Sequence, residues 1–167
     1  MKLCVEKILL AGFFVCIANI VIAADIEHYT LPENLPKNLP FSEAVRVDNM
    51  VYLAGQIGIP PGEANLVTGG IVAEAEQTLK NIGQVLAHFK LGFRDIVKCQ
   101  VMLTDISEWP AFNAVYKTFF VAPYPARSAF AGSGLAFGAR VEVECVAVIS
   151  SEALLQVSFR KPVPNIH

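Results

Sequence analysis

Residues 141–148 read VEVECVAV, and this alternation decides the predicted fold of the chain. Successive side chains of a β-strand point to opposite faces, so every second residue shares a face. One face carries only apolar or small side chains, which we expect to pack under helices: Val141, Val143, Cys145 and Ala147. The opposite face carries two carboxylates but remains partly apolar, with Glu142, Glu144, Val146 and Val148. We therefore expect this second face to be buried in an oligomer.

Residues 125–128 read PARS. Arg127, fifteen residues before Glu142, lies at the start of another short predicted strand. An unpaired charge in such apolar surroundings is costly. The planar guanidinium of Arg127 suits a substrate carboxylate, and Glu142 can orient or deprotonate a water. The two residues indicate hydrolytic chemistry on a small acid. The alternative is a structural ion pair at a subunit interface.

The remaining elements follow from their periodicity. We predict strands at 44–48 and 50–57, joined by a tight turn at Asp48-Asn49, and a further strand at 96–103 whose inner face holds Val97, Cys99, Val101 and Leu103. One helix carries an apolar stripe and is closed by Gly92; the stripe consists of Ala75, Leu79, Ile82, Val85, Leu86 and Phe89. A second helix spans 107–120, and the last strand spans 140–149. The order β-β-α-β-α-β-β predicts an α+β sheet with two helices on one face.

The N-terminus has the composition of an export signal. Lys2 and Lys7 precede an apolar run at 8–22, and Ala23-Ala24 provide a small-residue cleavage site before Asp25. We predict a signal peptide at 1–24, an extended proline-containing lead-in at 25–40, the folded domain at 41–150 and a C-terminal tail at 151–167. Export to the periplasm or the medium follows. The alternative is an uncleaved membrane anchor.

The net charge indicates which classes of partner to expect, and the cysteine and histidine content bears on disulfide formation and metal binding. The formal net charge of −2 provides no attraction for nucleic acid, so we expect no nucleic-acid partner, and no stable membrane association after cleavage. Cys99 and Cys145 lie in apolar strand-like runs and favour two buried thiols, with a disulfide as the open alternative. The sequence has no CxxC motif and no histidine cluster, so we expect neither a zinc nor an iron site.

Several segments, in this order and spacing, resemble one known family. They are 40–44 (PFSEA), 51–57 (VYLAGQI), 76–82 (EQTLKNI), 95–98 (DIVK), 112–116 (FNAVY), 125–128 (PARS) and 141–144 (VEVE). Together they resemble the reactive-intermediate deaminase family, the Rid or YjgF group of small imine hydrolases. The resemblance covers nearly the whole domain.

The resemblance implies a chorismate-mutase-like homotrimer with an active site in each inter-subunit cleft. It implies hydrolysis of small reactive 2-imino acids or enamines to 2-keto acids and ammonia, without a cofactor or a metal. Carried over to matching positions, the catalytic residues are Arg127, which would hold the substrate carboxylate, and Glu142, which would orient water. The implied substrate-binding positions are Gly55, Asn113, Phe41 and Ala54.

Two of these positions depart from the family pattern. Phe41 stands where tyrosine is common, and Ala54 stands where serine or threonine is common, so two hydroxyl groups are missing. A lost hydrogen bond weakens polar recognition by about 1 kcal/mol. The pocket is therefore expected to be more apolar than usual and to favour a larger apolar imino acid. The alternative function is a non-catalytic trimer that binds a small carboxylate or an apolar ligand in a protective role.

Overall fold

The structure is a computed structural model and describes residues 23–150. The predicted signal peptide, apart from Ala23 and Ala24, and the predicted tail from residue 151 lie outside the described residues. The strands are β1 (Ile26–Tyr29), β2 (Ala44–Val47), β3 (Met50–Leu53), β4 (Ile96–Leu103), β5 (Ala126–Ala131) and β6 (Val141–Val148). The helices are α1 (Gly70–His88) and α2 (Trp109–Phe119). Within the described part of the chain, no helix is both long and apolar enough to cross a membrane.

The six strands form one mixed sheet in the order β1-β2-β3-β6-β4-β5. Only β4 and β5 run parallel; α2 connects them, as a parallel pair requires a crossover. Both helices pack on one sheet face, where the buried residues of α1, α2, β4 and β6 form one core. The predicted α+β class with two helices on one sheet face is therefore confirmed.

The predicted strand order omitted β1. The prolines of the lead-in begin only at Pro32, so residues 26–29 keep the backbone donors that a sheet needs. They pair antiparallel with β2, and Arg46 of β2 holds this edge through ion pairs with Asp25 and Glu27. The following segment Pro32–Lys37 is a short 3₁₀ helix. The lead-in is thus partly a sheet strand and partly helical, not uniformly extended.

The turn at Asp48-Asn49 is confirmed, with Val47 paired to Met50 and Asp48 at a φ of 52°. Strand β3 is shorter than predicted, because it ends at Leu53 instead of residue 57. Only an isolated bridge between Gln56 and Val143 continues the pairing with β6. The interruption falls at Ala54-Gly55, beside the side chain of Glu142.

The predicted apolar stripe of α1 is confirmed, since it is fully buried except for the partly buried Phe89. The helix ends at His88, and the left-handed residue that follows it is Lys90, with a φ of 59°, not Gly92. Strand β4 has the predicted bounds, but Val97 is 46% exposed and does not belong to its inner face. A register irregularity between Ile96 and Lys98 turns Val97 outward.

Cys99 and Cys145 form a disulfide, so the prediction of two free thiols is wrong. The two residues are direct partners across β4 and β6, and their Cα atoms are 4.1 Å apart. Both side chains are buried on the helix-covered face of the sheet. Register brings them together, and the register of two strands 46 residues apart cannot be read from local sequence.

Candidate active site

Glu142 lies on the sheet face that the helices leave open. Its neighbours Val141 and Val143 are fully buried on the helix-covered face, so strand alternation turns Glu142 the opposite way. It is paired across the sheet with Met102 of β4, and Glu144 follows two residues later on the same face. The pattern read from residues 141–148 is therefore confirmed in both its buried and its open half.

Gly55 makes room for the Glu142 carboxyl group. A Cβ atom built on Gly55 would overlap Oε1 of Glu142 and crowd its Cδ and Cγ atoms. Any other residue at position 55 would therefore displace this carboxylate. Gly55 was expected to offer backbone contacts to a substrate, and the structure adds that its missing side chain lets Glu142 approach the backbone.

A groove with a volume of about 690 Å³ opens beside Glu142 and Gly55. Phe41 also lines the groove and is 50% exposed. Ala54 is next to Gly55 in the chain; its backbone N–H donates to the carbonyl of Glu43, and it does not line the groove. Three of the six predicted site residues therefore share one cavity: Phe41, Gly55 and Glu142.

The groove changes the acidity of Glu142. Burial raises the pKa of the Glu142 carboxyl group, and the negative charge of Glu144 raises the pKa further. A carboxylate whose pKa lies above the ordinary range is a stronger base once it is ionised. This arrangement suits a group that accepts a proton from water during a reaction.

Arg127 occupies a second position, on edge strand β5. Its direct partner in β4 is Cys99, so it lies on the helix-covered face of the sheet. Its guanidinium carbon is 4.5 Å from the ring centre of Trp109 and 4.4 Å from that of Tyr116. These two rings of α2 therefore contact the guanidinium through cation–π interactions.

Within residues 23–150, one terminal nitrogen of the Arg127 guanidinium has a hydrogen-bond partner and the other has none. Nη2 donates to Oδ1 of Asn113 at 2.8 Å, so Asn113 contacts Arg127, while its predicted contact with a substrate stays a prediction. Nη1 is buried and has no hydrogen-bond partner among residues 23–150. The hydroxyl of Tyr116 is likewise buried without a partner there, and burial raises the pKa of this hydroxyl. Buried polar groups of this kind need a ligand or water to satisfy them.

The structure thus separates the predicted residues into two sets within one chain. The first set, Phe41, Gly55 and Glu142, lines the groove beside the open face, while the second joins Arg127 of β5 to Asn113 of α2 on the helix-covered side. Arg127 and Glu142 do not form an ion pair within the described chain. Residues 23–150 also contain no group of three or more His, Cys, Asp or Glu side chains that could hold a metal ion.

Two residues around these sets were missed in the sequence. Trp109 lies four residues before Asn113 and seven before Tyr116, so all three share one helical face. This spacing was the signal that could have identified Trp109 as part of the site. Phe137 lines the groove of Glu142 and is 76% exposed. A bulky aromatic residue among the small residues of 132–139 was the available signal.

Comparisons with known proteins agree with this geometry. A family model described as Endoribonuclease L-PSP matches residues 33–149. The 2-iminobutanoate/2-iminopropanoate deaminase of Mus musculus is 43% identical over 109 residues, which are 65% of this chain and 81% of the mouse protein. The protein of the same name from Capra hircus is 45% identical over 109 residues, 65% of this chain and 80% of the goat protein. The crystal structure of RidA from an Antarctic Psychrobacter species is 37% identical with a TM-score of 0.64, covering 66% of this chain and 89% of that one.

Proposed function

This chain belongs to the endoribonuclease L-PSP family, which includes the reactive-intermediate deaminases, and we propose that it hydrolyses small reactive 2-imino acids and their enamines to 2-keto acids and ammonia. The main observation behind the proposal concerns the Arg127 guanidinium. Its Nη1 is buried without a hydrogen-bond partner among residues 23–150, while its Nη2 donates to Asn113. The mouse and goat relatives are named as deaminases of 2-iminobutanoate and 2-iminopropanoate, which supports the same class of substrate.

Arg127 binds the carboxylate of the substrate. Trp109 and Tyr116 fix the plane of the guanidinium before the substrate arrives, and Asn113 fixes its rotation. A guanidinium that is already held in one orientation loses little conformational entropy when it forms a charge-assisted hydrogen bond. The unpartnered Tyr116 hydroxyl offers a further polar contact. The substrate is thereby held with its imine carbon in a fixed place.

Glu142 activates the water. The carboxylate accepts a proton as the water oxygen forms a bond to C2 of the imine, and the C=N π electrons move to nitrogen. Protonated Glu142 returns this proton to the nitrogen, which gives the neutral carbinolamine. Glu142 then relays the hydroxyl proton of the carbinolamine to the nitrogen, the C–N bond breaks, and ammonia leaves as the C2 carbonyl forms and the Glu142 carboxylate is regenerated. The raised pKa of Glu142 makes its ionised carboxylate a stronger base for this proton transfer.

The active site is proposed to lie in the cleft between subunits of a homotrimer. Two features support this. The Arg127 and Glu142 sets lie on different faces of the sheet in one chain, so a second chain is needed to bring them together. The open face also exposes apolar side chains, including Tyr52 and Phe130, which association would bury.

A keto-acid release assay tests the activity. Imino acids are generated freshly from amino acids by an amino-acid oxidase, and the rate of 2-keto acid and ammonia formation is followed with and without the protein. Arg127→Ala removes a charged hydrogen bond of about 1.5–3 kcal/mol, roughly a 10- to 150-fold loss in kcat/KM. Arg94→Ala is the matched control, because the Arg94 side chain is 92% exposed. Equal rates for the wild type and Arg127→Ala would overturn the proposal.

The alternative function, binding without turnover, is favoured by the missing hydroxyls at Phe41 and Ala54 and by the apolar groove. Under this alternative, 2-keto acids raise the melting temperature of the wild type, and no imino acid is hydrolysed above its spontaneous rate. Stabilisation that disappears in Arg127→Ala would identify the same carboxylate site. Turnover above the spontaneous rate would exclude the alternative.

Export of the mature chain is proposed on the composition of residues 1–24, and two features of the folded domain support it. A structural disulfide such as Cys99–Cys145 persists in oxidising compartments. The backbone nitrogen of Asp25 donates to Oδ1 of Asp48 at 2.9 Å, so cleavage before Asp25 would leave an ammonium group beside a carboxylate. N-terminal sequencing of protein recovered from the periplasm or medium should begin at Asp25. Full-length protein confined to the cytosol would contradict export.

A further inference from the structure

The groove beside Glu142 carries more apolar surface than a substrate with a short side chain can contact. Two aromatic rings face it, Phe41 at 50% and Phe137 at 76% exposure. Its other apolar lining residues are Leu39, Pro40, Ile57, Ile59, Ala64 and Ala136. The volume of about 690 Å³ lies within the range of sites that bind ligands larger than a few carbon atoms.

Phe137 has no structural partner that accounts for its position. It makes no ring contact with the other aromatic residues of 23–150, and it is not part of the hydrophobic core. Its backbone lies in the left-handed region, at a φ of 57° and a ψ of 14°. This conformation is unfavourable for a bulky residue and costs glycine nothing. An exposed ring held in a strained loop is the kind of feature found at ligand sites.

One wall of the groove is fixed in place by hydrogen bonds. Asn34 and Lys37, from the segment Pro32–Lys37, line the groove. The buried carboxylate of Glu43 accepts hydrogen bonds from the Leu31 backbone nitrogen at 2.6 Å and from Asn34 Nδ2 at 2.8 Å. Asn34 Oδ1 accepts a third hydrogen bond from the Gly62 backbone nitrogen. These bonds preform the groove, so an apolar ligand does not have to order the wall that it contacts.

We propose that this groove selects 2-imino acids with a large apolar side chain, aromatic or branched aliphatic, and that Phe137 and Phe41 are the specificity-determining contacts. The inference rests on the proposed function, since it places the reacting carbon next to Glu142 and the side chain in the groove beyond it. A phenyl or isobutyl group buries apolar area against the two rings, whereas a methyl group leaves most of that surface in water. By contrast, the mouse and goat relatives are named for imino acids whose side chains have only one or two carbons.

The test compares kcat/KM for imino acids generated from phenylalanine, leucine and alanine. The wild type should favour the phenylalanine- and leucine-derived substrates over the alanine-derived one by about tenfold or more, because each methylene in an apolar pocket discriminates by about 10- to 200-fold at most. Phe137→Ala should lower this ratio about tenfold, and Phe41→Ala combined with it should lower the ratio further. Val72→Ala should leave the ratio unchanged, because Val72 is an equally apolar, 46% exposed residue of α1 outside the groove.

The outcomes separate this inference from the proposed function. If the wild type hydrolyses the alanine-derived substrate as fast as the others, the inference fails and the proposed function stands. If Phe137→Ala lowers all three rates equally, Phe137 is not a specificity determinant. If the wild type hydrolyses none, the proposed function fails, and titration calorimetry then decides the inference. Phenylpyruvate must bind about tenfold more tightly than pyruvate, and Phe137→Ala must abolish the difference; equal affinities would overturn it.

Discussion

Arg127 and Glu142 lie on opposite faces of the same sheet, although only fifteen residues separate them in the chain. Arg127 is paired with Cys99 on the face covered by α2, and Glu142 is paired with Met102 on the open face. This separation is the reason for proposing that two chains bring Arg127 and Glu142 to one substrate.

This geometry predicts complementation between two inactive variants. In a trimer with cleft sites, Arg127→Ala subunits retain Glu142, and Glu142→Gln subunits retain Arg127. When the two variants are refolded together in equal amounts, about one quarter of the clefts should contain both native residues. The mixture should recover about that fraction of the wild-type rate of keto-acid release.

The control for complementation mixes Arg127→Ala with the Arg127→Ala/Glu142→Gln double variant, because no cleft in that mixture contains an arginine. Light scattering should give the mass of a trimer for every variant. A monomer at micromolar concentration, or a mixture of the two single variants that stays at background, would rule out the inter-subunit site.

Asn113→Ala should weaken substrate binding more than it slows the chemical step. Asn113 Oδ1 accepts a hydrogen bond from Nη2 of Arg127, and its loss frees the guanidinium to rotate. A hydrogen bond from a charged donor contributes about 1.5–3 kcal/mol, so we expect KM to rise about tenfold or more with a smaller change in kcat. Lys117→Ala, on the exposed side of the same helix, provides the control in steady-state kinetics. A loss confined to kcat would instead assign Asn113 a part in the chemical step.

Glu142→Gln should abolish activity and stabilise the fold at neutral pH. Burial raises the pKa of Glu142, so the folded state binds more protons than the unfolded chain between the ordinary glutamate pKa and the raised value. Stability contributed by this group therefore falls as the pH rises through that window, and the ionised carboxylate is a cost above it. Thermal unfolding at pH 7 should show a higher melting temperature for Glu142→Gln than for the wild type, with no such difference at pH 4. A lower melting temperature at pH 7 would indicate that the carboxylate has a stabilising partner.

Glu144→Gln should shift the pH dependence of the reaction. The charge of Glu144 is the second cause, after burial, of the raised pKa of Glu142. Removing that charge lowers the pKa of Glu142, so its basic form persists to lower pH. The acidic limb of the kcat/KM profile should move to lower pH, while the rate at high pH stays near that of the wild type. Glu76→Gln, on the exposed side of α1, is the matched control, and an unmoved acidic limb would exclude Glu142 as the titrating group.

Reduction of the Cys99–Cys145 disulfide should destabilise the domain without changing its fold. The bond closes a loop across 46 positions, for which the loss of unfolded-state entropy corresponds to about 4 kcal/mol. The urea midpoint of the wild type should fall on reduction, whereas that of the Cys99→Ala/Cys145→Ala variant should be insensitive to reductant. Equal midpoints for the oxidised and reduced wild type would contradict a structural role for this bond.

Much of the architecture was predictable because its signals are local. The apolar stripe of α1, the bounds of β4 and the alternation of β6 each depend on a period of 3.6 or 2 within one segment. Strand β1 was missed because four residues with mixed burial provide too short a pattern. Val97 was assigned to the wrong face because a bulge resets the alternation, and its position depends on the partner strand.

The sequence by itself determined both helices, the strands other than β1, the order of these elements and the residue types of a candidate carboxylate site, because backbone propensity and side-chain alternation act over a few residues. Only the tertiary structure decided which residues meet. Strand register joined Cys99 to Cys145. Sheet faces separated Arg127 from Glu142, and the interruption after β3 placed Gly55 against the Glu142 carboxylate, in a groove that Phe137 also lines. The Cys99–Cys145 and Gly55–Glu142 contacts each join segments far apart in the chain, so they are fixed by the packing of the whole sheet and not by any one segment.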